Sequence, residues 1–419
     1  MRVREIYEVF RISESQLSFA TATPEDLERT ILMPAPDLDH SAGRSVVLVI
    51  GSLDCGGAER VLADMANYWA ERGWRVTLAT WSSPDTRDFY ALSANITRVW
   101  LRVSERRGSK IDTFRSLAGQ VVKLRRLLRR AKPDAVLSFI DVSNILTLLA
   151  ALGLGVRVVI SERTQPALND TISRPWKLAR RLCYRWAEQV VAQTRDAAVW
   201  IERRCNTAVQ VIPNFLRALP QPVATRESLI IAVGRLSKEK AFDILLEAFA
   251  RVRAQFPDWH LCIIGAGPEQ RALADQVRQL DLEARVKLVG QVQDVEAWMA
   301  RSALMVHPSR REGFPNAVLE AMGMGVAVIC ADCRSGPSEL IEDGVSGRLV
   351  PVDDLESLTL AMSQLMADLE LRERLGKEAT KVRQEYAQAV IMKRWEACLL
   401  PLPTRQLKKS LSRANRASR

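Results

Sequence analysis

Two glutamates, Glu312 and Glu320, flank the turn Gly313-Phe314-Pro315 in the segment SRREGFPNAVLEAMGMG. Paired carboxylates suit two chemistries: acid and base on either side of a glycosidic bond, or acceptance of hydrogen bonds from the hydroxyls of a bound sugar or ribose. Both acids here come from one short segment beside candidate phosphate-binding cations. Hydroxyl binding is the better reading. Pro315 fits the first position of a helix, which leaves Glu312 in the preceding loop and Glu320 between one and two turns inside.

Three other strand-to-helix junctions carry unusual residues. In GSLDCGGAER, Gly56 and Gly57 precede a helix, where backbone N–H groups can approach a bound anion closely. In AVGRLSKEKAF, Arg235 leaves a strand and Lys240 follows five residues later at a helix start. Either could be a surface cation, but together they suit a diphosphate, with charge-assisted bonds of roughly 1.5–3 kcal/mol each. In IIGAGPEQ, Gly265 and Gly267 end a strand without the spacing of a dinucleotide fingerprint. His307, in VHPSR, reads as a satisfied core or loop histidine.

These junctions need a scaffold of strands and helices. From residue 45, SVVLVIGSL, WRVTLATW, PDAVLSFI and VRVVISER alternate with amphipathic helices. After QVIPNF and the proline-containing LPQPVATRES the series restarts with LIIAVGRL. Within FDILLEAFARV, Phe242, Leu245, Leu246, Phe249 and Val252 form a helical apolar stripe. The fold class is therefore α/β, with two doubly wound Rossmann-like domains facing across a cleft. The expected division is a poorly ordered leader (1–44), an N-terminal domain (45–215), a C-terminal domain (216–380), a helix that can cross back (381–398) and a basic tail (399–419).

Composition bounds the remaining choices. The 419-residue chain is 47% hydrophobic and 26% charged, with a formal net charge of +11. Positive charge concentrates in TFRSLAGQVVKLRRLLRRAKPD, through Lys123, Arg125, Arg126, Arg129 and Arg130, and in the tail from residue 405. It reads as either a solvated face or attraction to an anionic membrane surface. The longest apolar run, Ile145 to Val156, is too short to span a bilayer of about 20 residues, and no signal peptide is recognisable at the start. Seven scattered cysteines, with only Cys330 and Cys333 close together, fit a reduced, cytoplasmic protein without a four-ligand metal site. Asp37-Leu-Asp39 lies in the leader and reads as chance.

Taken together, Glu312…Glu320 inside EGFPNAVLEAM, GRLSKEK and SGPSELIEDGVSGRLV resemble glycosyltransferase family 4, retaining enzymes of GT-B fold that use nucleotide sugars. GGAERVL and ISERTQP point towards the subgroup that elongates lipid-linked oligosaccharides and exopolysaccharides. The resemblance implies that Arg235 and Lys240 neutralise the donor diphosphate, Glu312 binds hydroxyls of the transferred sugar and Glu320 binds the ribose. The backbone at Gly313, Phe314, Pro315, Asn316 and Ala317 would meet the phosphates, with Gly56, Gly57 and Gly265 close by. It also implies a UDP- or GDP-linked donor, a glycolipid or oligosaccharide acceptor, no cofactor or metal, and a place at the inner face of the cell membrane. Two departures stand out. Ala241 follows Lys240 where the family usually has glycine, and VLSFIDVSN lacks the histidine many members carry after the fourth strand. Asp141 or Glu162 is the candidate for that acceptor-side role, or each is a structural cap. A nucleotide-sugar epimerase or hydrolase on the same fold, and a non-enzymatic polyanion binder, are the alternatives. No nucleic-acid motif supports the last.

Overall fold

The computed structural model describes residues 43–101, 110–167, 172–219 and 226–400. The expected leader up to residue 42, with Asp37 and Asp39, and the basic tail from residue 401 lie outside the described residues. Among the described residues, two parallel sheets organise the chain. The first contains β1 (Ser45–Ile50), β2 (Arg75–Thr80), β3 (Thr97–Trp100), β4 (Ala135–Phe139), β5 (Arg157–Glu162), β6 (Gln189–Ala192) and β7 (Val209–Val211), in the order 3-2-1-4-5-6-7. The second contains β8 (Glu227–Val233), β9 (His260–Ile264), β10 (Val286–Gly290), β11 (Ser302–His307), β12 (Ala327–Ala331) and β13 (Arg348–Val350), in the order 10-9-8-11-12-13. Both follow the same doubly wound plan, so the α/β reading with two Rossmann-like sheets holds.

The strand sequences explain this burial. A central parallel strand is covered on both faces and reads as a continuous apolar run. Every residue of β1 is buried, and Leu48 sits in register with Leu78 of β2 and Leu137 of β4. In β8 the period of two is visible: Ile230 and Ala232 join one core while Ile231 joins the core on the opposite face. The stripe of helix Phe242–Val252 is its buried face against the first of these.

The chain passes between the sheets twice, and the two passages touch. The Leu216 N–H donates to the Tyr386 carbonyl at 2.7 Å. Helix Gln388–Leu399 then sends Ile391, Met392, Trp395, Cys398 and Leu399 into the N-terminal core. Trp395 meets the Phe139 ring at 5.9 Å, and the Arg157 Nε donates to the Cys398 carbonyl at 2.9 Å.

The apolar run from Ile145 belongs to helix Asp141–Ala151, whose residues are mostly buried. No helix among the described residues is long and apolar enough to cross a membrane. In helix Lys110–Ala131, Leu124 and Leu128 face inward while Arg126, Arg129 and Arg130 are exposed. Arg125 departs from the expected charged face. Its Nη1 donates to the carbonyls of Ala150 and Leu152, satisfying the end of the neighbouring helix.

Candidate active site

In sheets of this topology ligands bind beyond the carboxyl ends, where the strand order reverses. Those reversals lie between β1 and β4 and between β8 and β11. Gly56 and Gly57 follow β1, Asp141 follows β4, Arg235 and Lys240 follow β8, and Glu312 follows β11.

The C-terminal half of the site is tightly bonded. Arg310 pairs with Asp243 at 2.9 Å and with Asp353 at 2.6 Å, and its backbone N–H donates to the Glu239 carbonyl at 2.8 Å. These contacts fasten the loop after β11 to the turn after β8. They bring the Lys240 Nζ to 2.5 Å from Glu312 Oε1, and His307 Nε2 lies 2.6 Å from the same oxygen. Ser309 Oγ is 3.0 Å from that histidine nitrogen. Burial of Glu312 opposes its ionisation, but Lys240 and His307 outweigh it and hold the carboxyl well below its usual range. Every contact falls on Oε1, so Oε2 has no partner among the described residues. His307 is thus more than the satisfied core histidine read from VHPSR: it positions the acid.

Arg235 is exposed and forms no side-chain hydrogen bond or ion pair with the described residues. Its loop lies against the loop after β9. A Cβ on Gly265 would come within 1.9 Å of the Gly234 carbonyl oxygen, and one on Gly267 within 2.3 Å of the Leu236 oxygen. Both glycines serve this backbone packing. Ala241 sits between the 3₁₀ turn Lys238–Lys240 and helix Phe242–Val252 with φ +52°, a left-handed conformation natural to glycine. The glycine that the resemblance leads one to expect here would suit that conformation.

Across the cleft the two domains are in contact. The helix carrying Glu320 runs Asn316–Gly323, one residue later than expected. Pro315 is its N-cap, with a carbonyl accepting from the Leu319 N–H at 3.1 Å. Gly336, at φ +117°, packs on Pro315, where a Cβ would stand 2.7 Å from Pro315 Cδ. A Cβ on Gly57 would lie 3.1 Å from Asn316 Nδ2. Gly56 is the N-cap of helix Gly57–Glu71 and its carbonyl accepts from the Tyr90 hydroxyl at 3.0 Å. Phe314 is buried, and Gly313 packs on the backbone of Arg163 and Thr164. Asn214 Nδ2 donates to Asn316 Oδ1 at 2.6 Å. Glu320 is ion-paired through Oε1 to Arg60 of helix Gly57–Glu71. Burial pushes the Glu320 carboxyl up, and Arg60 offsets only part of that. Ala317 follows Asn316 in the first turn, where backbone N–H groups lack intrahelical acceptors.

Asp141 and Glu162 are drawn elsewhere. Glu162 is 1% exposed and accepts from the Tyr184 hydroxyl at 2.5 Å, with Arg180 Nη1 3.7 Å away. Asp141 is 3% exposed, 4.0 Å from the same guanidinium, and accepts from the Val142 N–H at 2.8 Å. Burial, and then Asp141, push the Glu162 carboxyl up to about 7 against the pull of Arg180. Both acids therefore sit in a buried polar cluster, the arrangement that the structural alternative describes for each. Between them and β4, Ile140 holds φ +73°, a costly value for a β-branched residue and one that clusters at functional sites.

Arg60, Arg163 and Asn214 are the residues that sequence reasoning passed over, and His307 is singled out there only as a core or loop histidine. His307 is detectable in principle, five residues before Glu312. The pairing of Arg60 with Glu320 spans 260 positions and has no local signal.

Comparisons with known proteins bear on the family and the fold. Residues 55–217 match the family described as Glycosyltransferase Family 4, and residues 220–382 match Glycosyl transferases group 1. An exopolysaccharide phosphotransferase of Streptomyces coelicolor is 34% identical over 52% of this chain, a match that spans only 24% of that protein's length. A Campylobacter jejuni protein, N-acetylgalactosamine-N,N'-diacetylbacillosaminyl-diphospho-undecaprenol 4-alpha-N-acetylgalactosaminyltransferase, is 27% identical, covering 78% of this chain and 91% of its own. Among solved structures, HepE of Anabaena in complex with UDP and glucose superposes with a TM-score of 0.68 at 21% identity, over 88% of this chain and 99% of that one. With two consecutive family matches from residue 55 to 382 and the double Rossmann-like architecture that HepE shares, the chain belongs to the family 4 glycosyltransferases of GT-B fold.

Proposed function

We propose that the protein is a retaining transferase that moves a sugar from a UDP- or GDP-linked donor to a lipid-linked oligosaccharide or polysaccharide acceptor. One observation carries the donor side: Glu312 is locked as a carboxylate by Lys240 and His307, with Oε2 open, beside Arg235 and the start of helix Asn316–Gly323. An acid held so far below its usual range is a poor proton donor and a good acceptor for sugar hydroxyls. That argues against a glycosidase-type general acid. Arg235, Lys240 and the helix start supply positive charge where the leaving diphosphate gains negative charge, so the proposal assigns no metal. Glu320 Oε2 accepts from the ribose. With Asp141 and Glu162 tied to Arg180, Tyr184 and Val142, the departing diphosphate oxygen is the base left to take the acceptor's proton. Retention rests on the family.

The acceptor reading draws on the diphospho-undecaprenol substrate named for the Campylobacter relative. The exposed Arg126, Arg129 and Arg130 would meet an anionic membrane from the cytoplasmic side. The test is a panel of UDP- and GDP-sugars read by thermal shift, with and without chelator, followed by transfer to polyprenyl-diphosphate-linked saccharide. A ligand at 100 times its Kd stabilises by about 2.7 kcal/mol, so the true donor stands out, and chelator leaves its effect unchanged. No shift with any nucleotide sugar overturns the reading. Sugar release or isomerisation at full rate without acceptor transfers the assignment to a hydrolase or epimerase.

A further inference from the structure

Arg163 follows β5 and is only 6% exposed, yet two of its guanidinium nitrogens, Nε and Nη1, have no hydrogen-bond partner among the described residues. No carboxylate pairs with it there. Buried polar groups are almost always bonded, and an orphaned buried cation is costly. Both nitrogens are closed off from solvent, so a ligand reaches them only when the contacts around them part. The Phe139 ring, at the end of β4, covers the guanidinium at 4.3 Å. Nη2 donates to Asn214 Oδ1, and Asn214 passes the contact to Asn316, the first residue of the Glu320 helix. The Arg163 carbonyl would stand 2.7 Å from a Cβ on Gly313, the residue after Glu312. Arg163 therefore lies on the N-terminal face of the cleft, directly across from the loop that carries Glu312.

We propose that Arg163 is a third diphosphate-binding cation, donating Nε and Nη1 to the leaving nucleoside diphosphate from the domain opposite Arg235 and Lys240. The inference rests on the donor site described above. Burial pushes the Arg163 guanidinium down to about 9, Glu59 opposing, so it remains charged at neutral pH and an incoming anion removes the penalty. A bond from Arg163 to the diphosphate also couples donor binding to the seam between the two domains. A lipid diphosphate on the acceptor offers the same chemistry, and binding measured without acceptor separates the two.

The experiment compares UDP with uridine, and GDP with guanosine, by calorimetry on the wild-type chain, Arg163→Met and Arg163→Lys. Loss of one charge-assisted contact predicts a Kd for the diphosphate raised roughly ten- to a hundredfold in Arg163→Met, with nucleoside affinity within about twofold. Arg163→Lys, which keeps the charge without the planar donor set, should fall between. Equal loss for nucleoside and diphosphate would reduce Arg163 to a seam residue and overturn the proposal. So would unchanged diphosphate affinity, including the case in which only the KM for acceptor rises. If Arg163→Met does not fold, Arg163→Lys decides: several-fold weaker diphosphate binding with nucleoside affinity unchanged upholds the proposal, and wild-type diphosphate affinity or an equal loss for the nucleoside overturns it. A wild-type chain that binds neither UDP nor GDP refutes the donor site itself, and this inference with it; wild-type binding with no effect of either variant refutes the inference alone.

Discussion

Glu312 and Glu320 stand eight residues apart, yet different parts of the molecule hold them. The partners of Glu312 come from one sheet, Lys240 from the turn after β8 and His307 from the end of β11, and Arg310 bolts that turn to the loop after β11. Its geometry is complete within one domain. The partner of Glu320 is Arg60, on the first helix of the other domain. The two carboxyls also shift in opposite directions, Glu312 down and Glu320 up. The Glu312 end of the site, proposed for the sugar, is thus preset, whereas the Glu320 end, proposed for the ribose, depends on how the domains approach.

The largest effect should come from the preset end. Glu312→Ala or Lys240→Ala is expected to lower turnover by about 10²–10³ or more, in line with removing one charge-stabilising contact from a transition state, with the fold intact by circular dichroism. Near-normal turnover in either variant breaks the comparison at its stronger side. The domain-dependent end should respond less. Arg60→Met is predicted to raise the donor KM by roughly tenfold, the scale of one charge-assisted contact, and to change turnover at saturating donor much less. A collapse of turnover equal to that of Lys240→Ala would show that the two glutamates are not independent.

The smallest effect is in the pH dependence of stability. The folded pKa of Glu312 lies below its unfolded value, so its contribution is present above about pH 4.5 and fades as pH falls below that. The folded pKa of Glu320 lies above its unfolded value, so its contribution is present below about pH 4.5 and is lost as pH rises. Against wild type, Glu312→Gln should lose its disadvantage on acidification, and Glu320→Gln should gain an advantage from about pH 4.5 upward. Neither slope can exceed about 1.4 kcal/mol per pH unit for one proton. Parallel slopes from urea titrations at several pH values would remove the contrast.

Much of this architecture is legible in the sequence because parallel strands and amphipathic helices carry strong local periods. The apolar β1 and the stripe from Phe242 to Val252 fold as they read. The junction residues are legible for a related reason: glycines, prolines and charges at strand ends have few local explanations. What stays hidden depends on distance or on direction. Arg163 needs Asn214, Asn316 and Phe139 to define its place, and no window of sequence contains all four. Glu162 ends one apolar strand and Glu312 follows another. Only the fold shows that one faces Tyr184 and Arg180 beneath the cleft while the other keeps an oxygen open. Pro315 shows the limit at an element boundary, where cap and first turn differ by one residue.

The return of the last helix has a consequence for how the molecule is assembled. Trp395, Ile391 and Leu399 pack with β1 and β4 although they leave the ribosome after the entire second domain. The first domain to be synthesised is therefore the last to close its interior. A cut placed between the two sheets would not yield two self-sufficient halves, because the first half would lack a wall of its own core.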